Sequence, residues 1–157
     1  MRRYLSKVPI ITDWKKFVPT GSWTTNTTYT GRWRRVGDSL DLDVLVSLAG
    51  APDAATFTLN IPFGLKIDTT RALTKASVSR FGWAVADDAA ANQYFGHVMF
   101  STTTTLIVFA LDSSGTILDI STNFNQGVPF VFGASDAIYL RALGMPIVGW
   151  GANRSGR

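Results

Sequence analysis

The chain has 157 residues, no cysteine, no glutamate and a formal net charge of +4. Without cysteine there is no disulfide framework and no thiolate metal or redox site. A chain of this length buries about two-thirds of the surface its unfolded form exposes, so one domain can fold without staples.

Every acidic residue is an aspartate, and Thr, Gly and aromatics are abundant. Aspartate favours turns and caps over helix interiors, so the composition speaks against α-helices. Charge is uneven along the chain. Residues 1–35 hold eight Lys/Arg and one acid, Asp13, whereas residues 36–157 hold seven basic and ten acidic residues. Met1-Arg2-Arg3 is not followed by the apolar core of a secretory signal, because Lys7, Pro9 and Asp13 interrupt it. No apolar run approaches the roughly 20 residues of a membrane span. The expectation is a chain made soluble in a cytoplasm, without membrane insertion, that stays there or leaves on something larger.

Residues 1–17 have no clean period and read as a basic arm, lying against a partner or against the head. Residues 18–157 form the head. Its segment 20–31 is Thr-rich and β-prone, punctuated by Gly21 and Gly31. Leu40, Leu42, Val44, Val46 and Leu48 then alternate with Asp41, Asp43, Leu45 and Ser47, which predicts a strand with the first set facing the core and the second facing solvent. Gly50 to Asp53 is a turn, and Thr56–Ile61 a second alternating strand. Val78–Val85 predicts another strand, and Asp87–Gln93 either a helical turn or a long loop. Strands follow over Tyr94–Ser101 and Thr104–Leu111, a turn over Asp112–Gly115, and short strands over Thr116–Ile120, Val128–Phe132 and Ala137–Leu143. About nine short strands at this spacing imply an all-β, antiparallel sandwich or barrel.

Three segments carry a resemblance. They are Gly31-Arg32-Trp33-Arg34-Arg35-Val36-Gly37-Asp38-Ser39-Leu40, Ile61-Pro62-Phe63-Gly64-Leu65-Lys66-Ile67-Asp68, and Pro146-Ile147-Val148-Gly149-Trp150. In this order and spacing, over residues 17–150, the chain resembles the heads of tailed-phage surface proteins: capsid decoration proteins, head fibres and tail-fibre tips. These are similar to the trimeric jelly rolls of the complement-head and tumour-necrosis-factor type. The resemblance implies an antiparallel jelly-roll β-sandwich of about nine strands behind a short N-terminal arm. It also implies a homotrimer on a virion surface and no enzymatic activity. The leading expectation is a trimeric decoration (cement) protein on the exterior of a tailed-phage head, bound to the major capsid protein. The alternative is a fibre or spike tip that recognises host-surface glycan.

In the arm, Arg2, Arg3, Tyr4, Lys7, Lys15 and Lys16 are the expected capsid-gripping set, because a short arm can order on binding and wrap a surface. Trp83 and Tyr94 flank the loop that holds Asp87, Asp88 and Asn92, so these five are the expected ligand-facing set. Asp41 and Asp43 share a strand face, with carboxyls within roughly 7 Å. That spacing suits a glycosidase pair or a cation site, but no Glu or His supports it, and a solvated outer face is the expectation. Asp38 is read as a turn residue, and His97 as a hydrogen-bonded core or interface histidine. Arg32, Trp33, Arg34 and Arg35 alternate in face, and pairing with head carboxylates is expected in place of a nucleic-acid surface. No cofactor, metal site or catalytic residue is expected.

Overall fold

The structure is a computed structural model that describes residues 10–76, 78–89, 91–112 and 119–151. The chain is all-β. Its strands are β1 (Lys15–Phe17), β2 (Thr27–Val36), β3 (Ser39–Leu48), β4 (Thr58–Asn60), β5 (Arg80–Asp87), β6 (Gln93–Thr102), β7 (Thr105–Asp112), β8 (Asp119–Asn123) and β9 (Ala137–Pro146). One 3-10 turn covers Pro62–Gly64. Every pairing is antiparallel.

The strand order is β1-β2-β3-β9-β5-β6-β7-β4, with β8 also on β7. Two meanders, β1-β2-β3 and β5-β6-β7, are therefore joined by the last strand, which lies between β3 and β5. The sheet curls until its two ends approach. Residues that have just left β1 reach the far edge: Gly21 bridges Leu59 of β4, Ser22 N donates to Thr58 O at 3.0 Å, and Asn60 N donates to Thr20 O at 2.9 Å. One short stretch of chain thus hydrogen-bonds first to β2 and then to β4, which removes edge that would otherwise invite pairing with other chains.

The curl encloses the apolar set of each alternating strand. Leu40, Leu42, Val44, Val46, Ala84, Ala86, Val98, Leu106, Val108, Ile138 and Leu140 are all buried in one cluster. Trp23 anchors one end of this core, with no exposed surface. Its ring meets Phe57 edge-on at 5.0 Å and Phe132 at 5.3 Å, and its indole N–H donates to Ala55 O at 2.8 Å. At Gly82, β5 runs so close to β9 that an added Cβ would collide with the Arg141 carbonyl oxygen, so the position tolerates only glycine.

Several sequence expectations are corrected. Val128–Phe132 is not a strand and contributes only an isolated bridge between Asn125 and Val128. Pro129 has no N–H to give a ladder, and Phe130 and Phe132 are spent on ring packing at 4.2 Å. Of the two readings of Asp87–Gln93 the loop holds: the chain between Asp87 and Gln93 is the hairpin connection from β5 to β6, with Asp88 N donating to Asn92 O at 2.9 Å and Ala91 N to Asp88 O at 3.0 Å. Most of the expected Asp112–Gly115 turn lies outside the described residues, as does the first part of the Thr116–Ile120 strand.

Trp23→Ala is expected to lower unfolding free energy by about 3–5 kcal/mol, measured by urea denaturation. Trp23→Phe should cost less, because it keeps the ring contacts and loses the hydrogen bond. A loss below about 1 kcal/mol for the alanine variant would show that Trp23 is not a core anchor.

Candidate functional site

The alternation that buries one side of each strand presents the other side outward. On β3 that outer side holds Asp41 and Asp43, which the sequence places in solvent. They are only 4% and 5% exposed. The cause is cross-strand pairing. Arg34 stands opposite Asp41 and Arg32 opposite Asp43 on β2, while Arg141 stands opposite Asp43 on β9. Arg34 Nε donates to Asp41 Oδ2 at 2.8 Å, and Gly144 N donates to Asp41 Oδ1 at 2.9 Å. Asp43 Oδ2 accepts from Arg32 Nε at 2.7 Å and from Arg141 Nη2 at 3.3 Å, while its Oδ1 accepts from the Tyr139 hydroxyl. Trp14 covers the arginines, with its ring 5.0 Å from the Arg32 guanidinium carbon and 4.7 Å from that of Arg34.

Burial by itself would raise the Asp43 pKa. Hydrogen bonds from Tyr139, Arg141 and Arg32 outweigh it and hold the carboxyl below its usual range. The same contacts act on the partners. Burial and the Asp43 hydrogen bond raise the Tyr139 pKa, and the Asp43 hydrogen bond raises that of Arg141. With three donors converging on its two oxygens, Asp43 is held as a hydrogen-bond acceptor at the edge of a groove it helps to line.

The row continues across the sheet. Arg141 is opposite Trp83, Trp83 opposite His97, and His97 opposite Phe109. A parallel row runs through Leu45, Tyr139, Val85 and Phe95. Leu45, Trp83 and Phe95 are 41%, 42% and 60% exposed, and Trp83 leans on Tyr139 at 5.4 Å between ring centroids. The outer face of β3, β9, β5 and β6 is therefore largely apolar and aromatic around one ion-pair cluster. His97 sits half-buried within it, not in the core. Beside the cluster, where the chain leaves β1, a groove of about 610 Å³ is lined by Lys16, Val18, Arg32, Asp43, Leu45 and Tyr139, among others.

Of the expected arm residues, Arg2, Arg3, Tyr4 and Lys7 lie outside the described residues. Lys15 and Lys16 are exposed and held on the head by β1. They point to opposite faces: Lys15 Nζ lies 5.6 Å from the Trp33 ring, and Lys16 stands beside Arg32.

Of the expected ligand-facing residues, Asp87, Asp88 and Asn92 come together around a shallow hollow of about 510 Å³, where Gln93 Nε2 donates to Asp87 Oδ1 at 3.1 Å. Trp83 and Tyr94 do not join them on one surface. Trp83 is on the outer face, whereas Tyr94 turns inward and stacks on Phe130 at 5.1 Å. Trp83 and Ala86, the residue opposite Tyr94, are three positions apart, and this odd separation puts the two aromatics on opposite sides of the sheet. Sequence reasoning missed Tyr139 and Arg141. Their alternation with Ile138, Leu140 and Ala142 was the available signal, since it sets them on the same side as Asp41 and Asp43.

Among the described residues, no three His or Asp side chains are grouped to hold a metal ion, and no helix is long and apolar enough to cross a membrane. Compared with known protein families, curated proteins and solved structures, the chain matches none.

Because Asp43 ionises more readily folded than unfolded, its contribution is present above about pH 3.8 and is lost as pH falls through its lower folded value. Asp53, whose carboxylate accepts from Thr24 and Thr25, is lowered too and acts in the same direction. Asp43→Asn is expected to cost about 1–3 kcal/mol near neutral pH and to flatten the fall of the urea midpoint below about pH 4. An unchanged acid slope would mean that the network does not hold this carboxylate ionised.

Proposed function

We propose that this chain is a non-enzymatic structural protein of a virion surface: a trimeric decoration protein whose jelly-roll head self-associates and whose basic arm grips the capsid exterior. The observation that carries the self-association is the outer sheet face. Leu45, Trp83 and Phe95 stand uncovered there, with Val85, Tyr139, His97 and Phe109 between them. An apolar, aromatic sheet face of this kind fits burial against a second copy better than contact with water.

The resemblance to tailed-phage heads supports the virion setting, and its leading segment forms the hairpin that pairs β2 with β3. The jelly-roll sandwich is our reading of the curled sheet, with the segment after β1 passing from one layer to the other. Trimerisation would bring three arms to one particle, so that release of a head must break several contacts at once. Arg2, Arg3, Tyr4 and Lys7 are the proposed gripping residues.

A fibre-tip reading draws on the β5–β6 hairpin, where Asp87, Asp88 and Asn92 surround a polar hollow suited to sugar hydroxyls. With Tyr94 turned inward, that hollow lacks the stacking platform a glycan site normally uses, so decoration is preferred.

Purified protein, whole or lacking residues 1–9, should be mixed with capsid shells that lack it and separated by sedimentation. The whole chain is expected to pellet with the shells and the shortened chain to stay largely in solution. Failure of both forms to bind shells, with binding to host cells instead, would replace decoration with the fibre-tip reading.

A further inference from the structure

The two ends of the strand bundle carry opposite charge. At one end β2, β3 and β5 meet their neighbours through Thr27, Leu48 and Asp87, and β6, β8 and β9 begin. Asp53, Asp87, Asp88 and Asp136 cluster there. Asp53 accepts from the amides just before β2, and Asp136 Oδ1 accepts from Ala89 N at 3.0 Å across the β5–β6 hairpin. Asp112 and Asp119 occupy strand positions at the same end. The sequence from 81 to 140 contains no Lys or Arg at all.

The opposite end is basic. The connection from β4 to β5 crosses it and places Lys66, Arg71, Lys75 and Arg80 on the surface. It is pinned there: Val148 N donates to Lys66 O at 2.9 Å, Asp68 N donates to Pro146 O at 2.8 Å, and Arg71 pairs with Asp38. Arg35 lies alongside, 4.7 Å from the Trp150 ring, and its Nη2 donates to Trp150 O at 2.8 Å. Exposed aliphatic side chains stud the same end, namely Ile10, Ile11, Leu73, Val78 and Val148, all about half exposed or more. The described chain also enters and leaves here, at Ile10 beside Gly37 and at Gly151 beside Arg71.

From this polarity we infer that the basic end of the head is itself a docking surface for an acidic protein, and that the aspartate-rich end points away from that partner. The charge sets the sign of the partner and speeds encounter. The aliphatics set its kind. A protein interface combines a desolvated apolar centre with arginine and a polar rim, and this end offers both. A nucleic-acid phosphate array would gain nothing from Leu73 or Val148, whereas a protein surface would bury them. The inference deepens the decoration reading by giving the head a contact of its own beyond the arm, and rests on that reading only for which acidic protein is met.

The test uses the full chain and no capsid, so its failure is separable from failure of the decoration reading. An immobilised peptide of repeated Glu-Glu-Leu serves as the acidic protein surface, and a 20-base-pair DNA duplex of comparable charge serves as the rival. Binding is followed by biolayer interferometry at low and at physiological salt. Three variants are compared after circular dichroism shows that they fold: Lys66→Ser/Lys75→Ser/Arg80→Ser, Leu73→Ser/Val148→Ser, and Asp87→Asn/Asp88→Asn at the far end.

The first variant is expected to weaken peptide binding roughly tenfold, and the second about threefold, with no effect on DNA binding. The third should leave peptide binding within about twofold. The inference is overturned if the unmodified chain does not bind the peptide. It is equally overturned if the triple variant binds the peptide unchanged, which would leave the arm as the sole contact. A serine pair without effect on the peptide, alongside DNA binding that survives at physiological salt, would identify a nucleic-acid surface instead.

Discussion

Two carboxylates set the character of the outer sheet face. Asp41 and Asp43 point away from the core, yet water barely reaches them. An ionised carboxylate taken out of water without partners costs several kcal/mol, so burial is tolerable only with charged donors in good geometry. Arg34 meets Asp41, while Arg32, Arg141 and Tyr139 converge on Asp43 from both neighbouring strands. These donors order the long side chains of β2 and β9 and lock the register of three strands, because a slip of one residue would swap every carboxylate for a core leucine or valine. Trp14 then closes over the arginines and holds the segment before β1 on the sheet.

A surface fixed in this way is stiff. Long charged side chains that would otherwise sample many rotamers are committed to the cluster, and the aromatics beside them are seated in cross-strand rows. A stiff, apolar face loses little conformational entropy when a second copy covers it. The curl of the sheet contributes as well, because β1 bonds to β2 and the stretch just after it to β4, which limits open edge. Sideways strand addition is thereby discouraged, which in the proposed trimer would leave the face as the contact between copies. The charged ends are a separate matter: under the proposals made above they would orient the chain along its strands, whereas the face would pair copies across them.

Much of the strand pattern was legible. The alternation in Leu40–Leu48 located β3, its buried side and the outward direction of both aspartates, and the Arg-Trp-Arg-Arg run was correctly split between two faces. What failed was the environment of Asp41 and Asp43, since a single strand shows which way a side chain points and not what its neighbours place over it. That information lay some hundred residues away, in Tyr139 and Arg141 for Asp43 and in Gly144 for Asp41. Val128–Phe132 misled for a related reason: an apolar run can serve as ring packing without joining a ladder. Trp83 and Tyr94 were grouped by nearness to a loop, where the two-residue period of the strands already separated them. The charge polarity of the ends was visible as a sixty-residue stretch without Lys or Arg, but it acquired meaning only once the topology set the hairpin tips side by side.

The most direct measurement is the mass of the full chain in solution at micromolar concentration, by sedimentation velocity or native mass spectrometry, together with that of Leu45→Asp/Phe95→Asp. The trimer proposed on this face requires a species of three chain masses that falls to one chain mass when two carboxylates are set into the apolar rows. A monomer for the unmodified chain, or a trimer that the double substitution leaves intact, would contradict it.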